Sequence, residues 1–128
     1  MADEMPKHGT FCWNELATRD IGAAKKFYTG LLGWTVREMP MQTGVYTVFK
    51  AGDKDVGGMY AITPEMGEVP PHWMGYIAVD DVDALAKKTE ELGGKVIVPP
   101  MDIPEVGRMV VIADPTGAAI SLMTFVTK

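Results

Sequence analysis

Glu15 stands in a run of aromatic residues: along Phe11-Cys12-Trp13-Asn14-Glu15-Leu16-Ala17, the side chains of Phe11, Trp13 and Glu15 alternate with Cys12, Asn14 and Leu16. Alternation of period two describes a β-strand with both faces at least partly buried, and it puts the carboxylate on the face of the two rings. A carboxylate in such surroundings either carries a raised pKa or takes a cationic or hydrogen-bonding partner. Two chemistries follow, a counter-ion for a basic ligand or a general base near neutral pH. A solvated glutamate at a strand end is the third reading and requires neither.

His72 is the second candidate for catalysis. It follows Pro70-Pro71 at the mouth of a strand, which is also where an ordinary surface histidine sits. Cys12, the single cysteine, has the opposite parity to Glu15 and apolar neighbours, which predicts a buried structural thiol rather than a nucleophile. Arg108 begins a strand beside a proline-rich stretch and could clamp an anion. Gly57-Gly58 lacks the strand-to-helix context of a phosphate loop, so close packing or a β-bulge is expected there. Lys25-Lys26 and Lys87-Lys88 fall on outer helix faces.

These residues are carried by a duplicated unit. Residues 18–34 recur in outline at 79–95: Asp20 matches Asp81 and Gly33 matches Gly94 at the same interval. In the first copy Asp20 is a helix N-cap. Ile21, Ala24, Phe27, Tyr28, Leu31 and Leu32 form the inward face, and Gly33 supplies the stop. Strands are predicted at 34–39, 45–50 and 56–62, with a tight turn at Ala51-Gly52-Asp53-Lys54. Residues 63–71, rich in proline and acid, read as a linker. The second copy repeats the order: a strand at 73–79, then a helix capped by Asp81 with Val82, Leu85, Thr89 and Leu92 inward. Strands follow at 95–98, 109–113 and 119–125, with Asp114-Pro115-Thr116-Gly117 as a hairpin turn. Pro99, Pro100 and Pro104 predict a mobile loop over 99–107. Two copies of one unit imply a shared interface, a natural place for a site.

Composition sets the class. At 128 residues, 47% hydrophobic and 23% charged, the chain suits one globular domain (unit one 9–62, linker 63–71, unit two 72–125). Its net charge of −5 disfavours nucleic acid and anionic membrane as partners. No apolar run approaches the ~20 residues of a bilayer span. The opening residues show neither a basic nor an apolar signal region, and one cysteine forms no internal disulfide. A cytoplasmic location is therefore expected.

Two β-α-β-β-β units in tandem, with Phe27-Tyr28 and Leu32-Gly33-Trp34 closing the first helix and Ala113-Asp114-Pro115-Thr116-Gly117 before the last strand, resemble the vicinal oxygen chelate superfamily. Glyoxalase I, bleomycin-resistance proteins, extradiol dioxygenases and methylmalonyl-CoA epimerase belong to it. The resemblance covers about residues 9–125. It implies an α+β fold in which the two units form a cup-shaped mixed β-sheet with the helices outside.

It also implies a divalent metal at the base of the cup, held by His, Gln or Glu from the first strand and Glu from the last strand of each unit. Carried over, the four positions fall on Trp13, Gly58, Met74 and Ser121. None is a usual ligand for a hard or borderline ion. The expectation is a chain without the metal or any other cofactor, unless Glu15 and His72 supply a rearranged site. Residues sharing a face with those positions then line the cup: Phe11, Trp13, Glu15, Val56, Gly58, Tyr60, Met74, Tyr76, Ser121 and Met123. Of these, Phe11, Trp13, Tyr60, Met74, Tyr76, Ser121 and Met123 are the expected ligand contacts.

A lining of rings and thioethers either holds an apolar or aromatic small molecule or collapses into core. The leading expectation is a metal-independent small-molecule binder. A glyoxalase-like lyase, isomerase or dioxygenase with substituted ligands is the second reading, and a non-catalytic interaction module the third. A homodimer is the implied assembly.

Overall fold

A computed structural model of the chain describes residues 6–41, 44–104 and 106–126. It contains eight strands and two helices: β1 (Phe11–Thr18), α1 (Ile21–Leu32), β2 (Thr35–Met41), β3 (Gly44–Ala51), β4 (Lys54–Ala61), β5 (His72–Ala78), α2 (Val82–Glu91), β6 (Lys95–Ile103), β7 (Gly107–Ala113) and β8 (Ala119–Phe125). The order is β-α-β-β-β twice over, the α+β fold expected from the duplication. The residues gather into two compact units, one of Trp13–Met74 and one of the described residues in 6–12 and 75–126.

In the Trp13–Met74 unit the strand order is β2-β3-β4-β1, with β1 parallel to β4 and the other pairs antiparallel. Helix α1 begins where the Asp20 carboxylate accepts the Ala23 N–H at 2.9 Å. It ends where Gly33, at φ 72°, donates its N–H to the Thr29 carbonyl, a left-handed cap that glycine adopts without a Cβ penalty. The core is Leu16, Phe49 and Met59, with Ile21, Ala24, Tyr28, Trp34, Val36 and Val56 packed against it. Phe49 is fully buried and packs on the rings of Tyr28, Trp34 and Trp73.

The helix turns a narrower face to this core than the sequence suggests. Ile21, Ala24 and Tyr28 are in contact, whereas Phe27 is 57% exposed and Leu31 and Leu32 are exposed too. Phe27 lies one residue, about 100°, round the helix from Tyr28, far enough to leave the contact stripe.

The other unit has the order β5-β8-β7-β6, with β5 parallel to β8. Helix α2 starts at Asp81, whose Oδ1 accepts the N–H groups of Asp83 and Ala84 at 3.0 and 3.2 Å. Val82 and Ala86 enter a core with Val79, Val110 and Leu122, while Leu92 is exposed. The stretch expected to be a mobile loop is largely strand. β6 runs through Pro99 and Pro100 to Ile103, with register shifts between Val96 and Val98 and between Val98 and Met101. It is the outer strand of its sheet and is bulged, the setting in which proline's missing N–H breaks no ladder. Within the expected linker, Pro64–Met66 forms one short 3-10 turn.

Candidate functional site

Glu15 has a partner that parity alone does not name. The Tyr46 hydroxyl donates to Glu15 Oε2 at 2.6 Å and accepts the indole N–H of Trp13 at 3.0 Å. Trp13 and Glu15 sit on the face of β1 opposite Leu16, which goes into the core. Tyr46 comes from β3, and β4 lies between the two strands. At the crossing stands Gly58, register partner of both Glu15 and Val48. A Cβ there would run into the Tyr46 hydroxyl and ring, so glycine is what lets the phenol reach the carboxylate. The neighbouring Gly57 serves close packing as well: its Cβ would come within 2.8 Å of the Asn14 carbonyl oxygen.

The electrostatics follow from this crowding. Burial pushes the Tyr46 phenol far above its ordinary range; the Glu15 charge and hydrogen bond push the same way, and the Trp13 donor only partly opposes them. Tyr60 is raised by burial and then by the Glu15 charge. Both phenols hold their protons at neutral pH, which makes Tyr46 a fixed donor to the carboxylate. A carboxylate oriented by a phenol beside aromatic side chains can attract a cationic or hydrogen-bonding group, or take a proton from a bound molecule.

The alignment with known proteins agrees with this architecture. The model of the Glyoxalase/Bleomycin resistance protein/Dioxygenase superfamily matches residues 10–122. The chain belongs to this superfamily.

Among curated relatives, "Putative glyoxylase CFP32" of Mycobacterium tuberculosis is 47% identical over 116 residues, covering 90% of this chain and 44% of that protein. "Anthracycline biosynthesis protein DnrV" of Streptomyces peucetius is 38% identical over 127 residues, covering 89% and 46%. The chain thus spans less than half the length of these relatives. Methylmalonyl-CoA epimerase from Mycobacterium tuberculosis superposes with a TM-score of 0.66 at 14% identity over 98% of this chain and 95% of that one, a likeness of fold alone.

The superfamily's duplication is visible in the strand register. Tyr76 pairs with Ser121 across parallel β5 and β8, just as Glu15 pairs with Gly58 across parallel β1 and β4. Ser121 also faces Val111, and Met123 faces Met109 and Ala78. One face of this unit therefore groups Tyr76, Ser121, Met123 and Met109, with the Tyr76 hydroxyl 4.0 Å from the Met109 sulfur. The opposite face, with Leu122 and Val110, packs on α2.

Phe11 is placed apart from that group. Its ring covers Gly75, beside Ile120, and it is 71% exposed. The missing Cβ of Gly75 points away from the side of Tyr76.

His72 and Met74 are half-buried at the end of the Trp13–Met74 segment, and His72 Nδ1 lies 2.8 Å from the Pro70 carbonyl. Cys12 Sγ donates to the Tyr76 carbonyl at 3.6 Å, and burial raises its pKa, so the thiol keeps its proton at neutral pH. Arg108 is held by both oxygens of Asp83, at 2.8 and 3.0 Å, and by Asp102 at 3.1 Å. It ties the first turn of α2 to β6 and β7 and is engaged within the protein.

Tyr46 and Met109 were not legible as site residues from the sequence. Tyr46 alternates in a strand like any other, and only the glycine pair on the next strand hints that something crosses there.

Proposed function

We propose that the chain is a small-molecule-binding protein of its superfamily that works without the superfamily's divalent metal and orients an apolar or aromatic ligand through Glu15 and Tyr46. The observation that carries the reading is the Tyr46 hydroxyl lying over Gly58, between the Trp13 indole and the Glu15 carboxylate. Two of the four inherited ligand positions are Trp13 and Gly58. An indole N–H already donating a hydrogen bond offers no lone pair, and the space beside the glycine is filled by a phenol. Met74 and Ser121 add a thioether and a neutral hydroxyl, which suit neither a hard nor a borderline ion. Among the described residues no three His, Cys, Asp or Glu side chains come together. The residues present do not fit the metal.

The ligand class rests on the side chains. Trp13, Tyr46 and Tyr60 beside one oriented carboxylate suit a molecule with an aromatic body and one cationic or hydrogen-bonding group. The relative named for anthracycline biosynthesis supports an aromatic ligand.

Elemental analysis of the purified protein, with thermal-shift titrations of Ni²⁺, Zn²⁺, Mn²⁺ and Fe²⁺ against a chelator, tests the reading. No bound metal and no shift support it; stoichiometric metal with a rise in melting temperature would overturn it.

A second reading is favoured by the short Glu15–Tyr46 hydrogen bond: metal-independent proton transfer, with Glu15 as the base. Turnover lost in Glu15→Gln but insensitive to chelator would select it over binding alone.

A further inference from the structure

The duplication gives α1 an internal standard. Shifted by the interval that matches Asp20 to Asp81, Gly22, Phe27 and Gly30 of α1 fall on Asp83, Lys88 and Glu91 of α2, and all six residues are exposed. Where one helix meets water with charged side chains, its counterpart has a ring between two glycines. On α1, Ala23, Phe27, Gly30 and Leu31 make one stripe at i, i+4, i+7 and i+8, with Phe27 57% and Leu31 62% exposed. The inner stripe of Ile21, Ala24 and Tyr28 already packs on the core. A helix apolar on both sides is one covered on both sides. Gly30 is a further sign. Glycine weakens an exposed helix position relative to alanine, yet a Cβ there would meet nothing within 4 Å. Nothing within the chain requires that glycine, whereas close approach of a second helix does.

We propose that the Ala23, Phe27, Gly30 and Leu31 face of α1 is the surface on which a second copy of this chain docks, helix against helix about a two-fold axis. The stripe is self-complementary, as a two-fold interface must be. In an antiparallel pair centred on the middle of α1, Ala23 of one protomer meets Gly30 of the other, so the helices approach closely on either side of the two Phe27 rings. Charge favours the same occupant. The chain carries −5, but residues 21–32 include no carboxylate, so two acidic chains meet here without opposing acidic side chains on the helices. Relatives point the same way: the chain covers only 44% and 46% of them, which leaves each with length for one further domain of this size, and a second copy supplies the equivalent. Helix α1 packs on the Leu16 side of β1, away from Glu15, so the proposal neither needs nor tests the ligand reading.

The test is the oligomeric state of the full chain by sedimentation equilibrium, compared with three variants. Phe27→Lys combined with Gly30→Glu gives α1 the residues that α2 carries at the same places. Leu31→Lys charges the other end of the stripe and gives a second reading should the double variant not fold. Leu92→Lys makes the same change at the equivalent position of the second copy. Expected is a dimer for the natural protein and for Leu92→Lys. The two α1 variants should dimerise about 30-fold more weakly or worse, with the helical circular dichroism of the natural protein retained.

A natural protein that stays monomeric up to about 100 μM, where even a dimer of micromolar Kd would form, would overturn the proposal and leave the face to a partner of another kind. A dimer untouched by the α1 variants would overturn it by placing the contact elsewhere. Equal dissociation by Leu92→Lys and Leu31→Lys would overturn it too, because the effect would not belong to α1.

Discussion

The Tyr46 hydroxyl reaches Glu15 Oε2 at 2.6 Å by passing over Gly58, a residue of the strand that separates them. One phenol thereby satisfies an indole on one side and orients a carboxylate on the other. A single glycine makes this possible, so the three positions are energetically coupled, and the coupling is measurable.

Gly58→Ala should destabilise the fold by about 1–3 kcal/mol, the usual cost of overpacking a closely filled site. In a Tyr46→Ala background the same change should cost at least about 1 kcal/mol less, because the atoms it strikes are gone. Urea denaturation of the four proteins of this cycle reads the coupling. Strict additivity would mean that Tyr46 does not lie over Gly58 in solution.

Tyr46→Phe removes the donor to Glu15 and the acceptor for Trp13 while keeping the ring. A loss of about 1–3 kcal/mol is expected, since the part-buried indole N–H is left unpaired. Chemical denaturation checks this, and a variant as stable as the natural protein would show the hydrogen bonds to be dispensable.

The raised phenols make stability fall on the alkaline side. In the unfolded chain Tyr46 and Tyr60 ionise near their ordinary pKa of 10.0, whereas in the folded state both stay protonated to higher pH. Above that pH the unfolded state has released protons that the folded state retains. The contribution is therefore complete below pH 10 and is lost as pH rises above it. Phenolate absorbance should show late-ionising tyrosines in the natural protein. Glu15→Gln should bring their ionisation to lower pH, because the neighbouring charge is removed. No change in Glu15→Gln would mean that burial alone sets the shift.

Arg108→Ala should leave ligand binding unchanged and cause only a small, salt-sensitive loss of stability, because its ion pairs with Asp83 and Asp102 are solvent-exposed. Loss of affinity for an anionic ligand in this variant, with stability retained, would return Arg108 to the site.

Much of the molecule was legible in local pattern. The matched Asp20 and Asp81 caps, the Gly33 stop and the alternating strands have local causes: a short side-chain oxygen beside free N–H groups, a residue without a Cβ, and a period of two. The limits of β6 were not legible, since proline ends a strand or is tolerated in one according to whether that strand is outermost and bulged. That is a fact about neighbours and not about the segment. The depth to which α1 buries its apolar side likewise depended on how Tyr28 packs among Trp34, Phe49 and Trp73.

The same division runs through the candidate site. By itself the sequence determined that Glu15 shares a face with Trp13 and that the two copies carry equivalent positions, because side-chain parity and repeat register are properties of the chain. Only the tertiary structure decided that Tyr46 hydrogen-bonds Glu15, that Gly58 is the gap it crosses, and that Ser121 is buried. Those relations depend on cross-strand register and on rotamers set by packing, which residues far apart in sequence acquire only when the strands have paired.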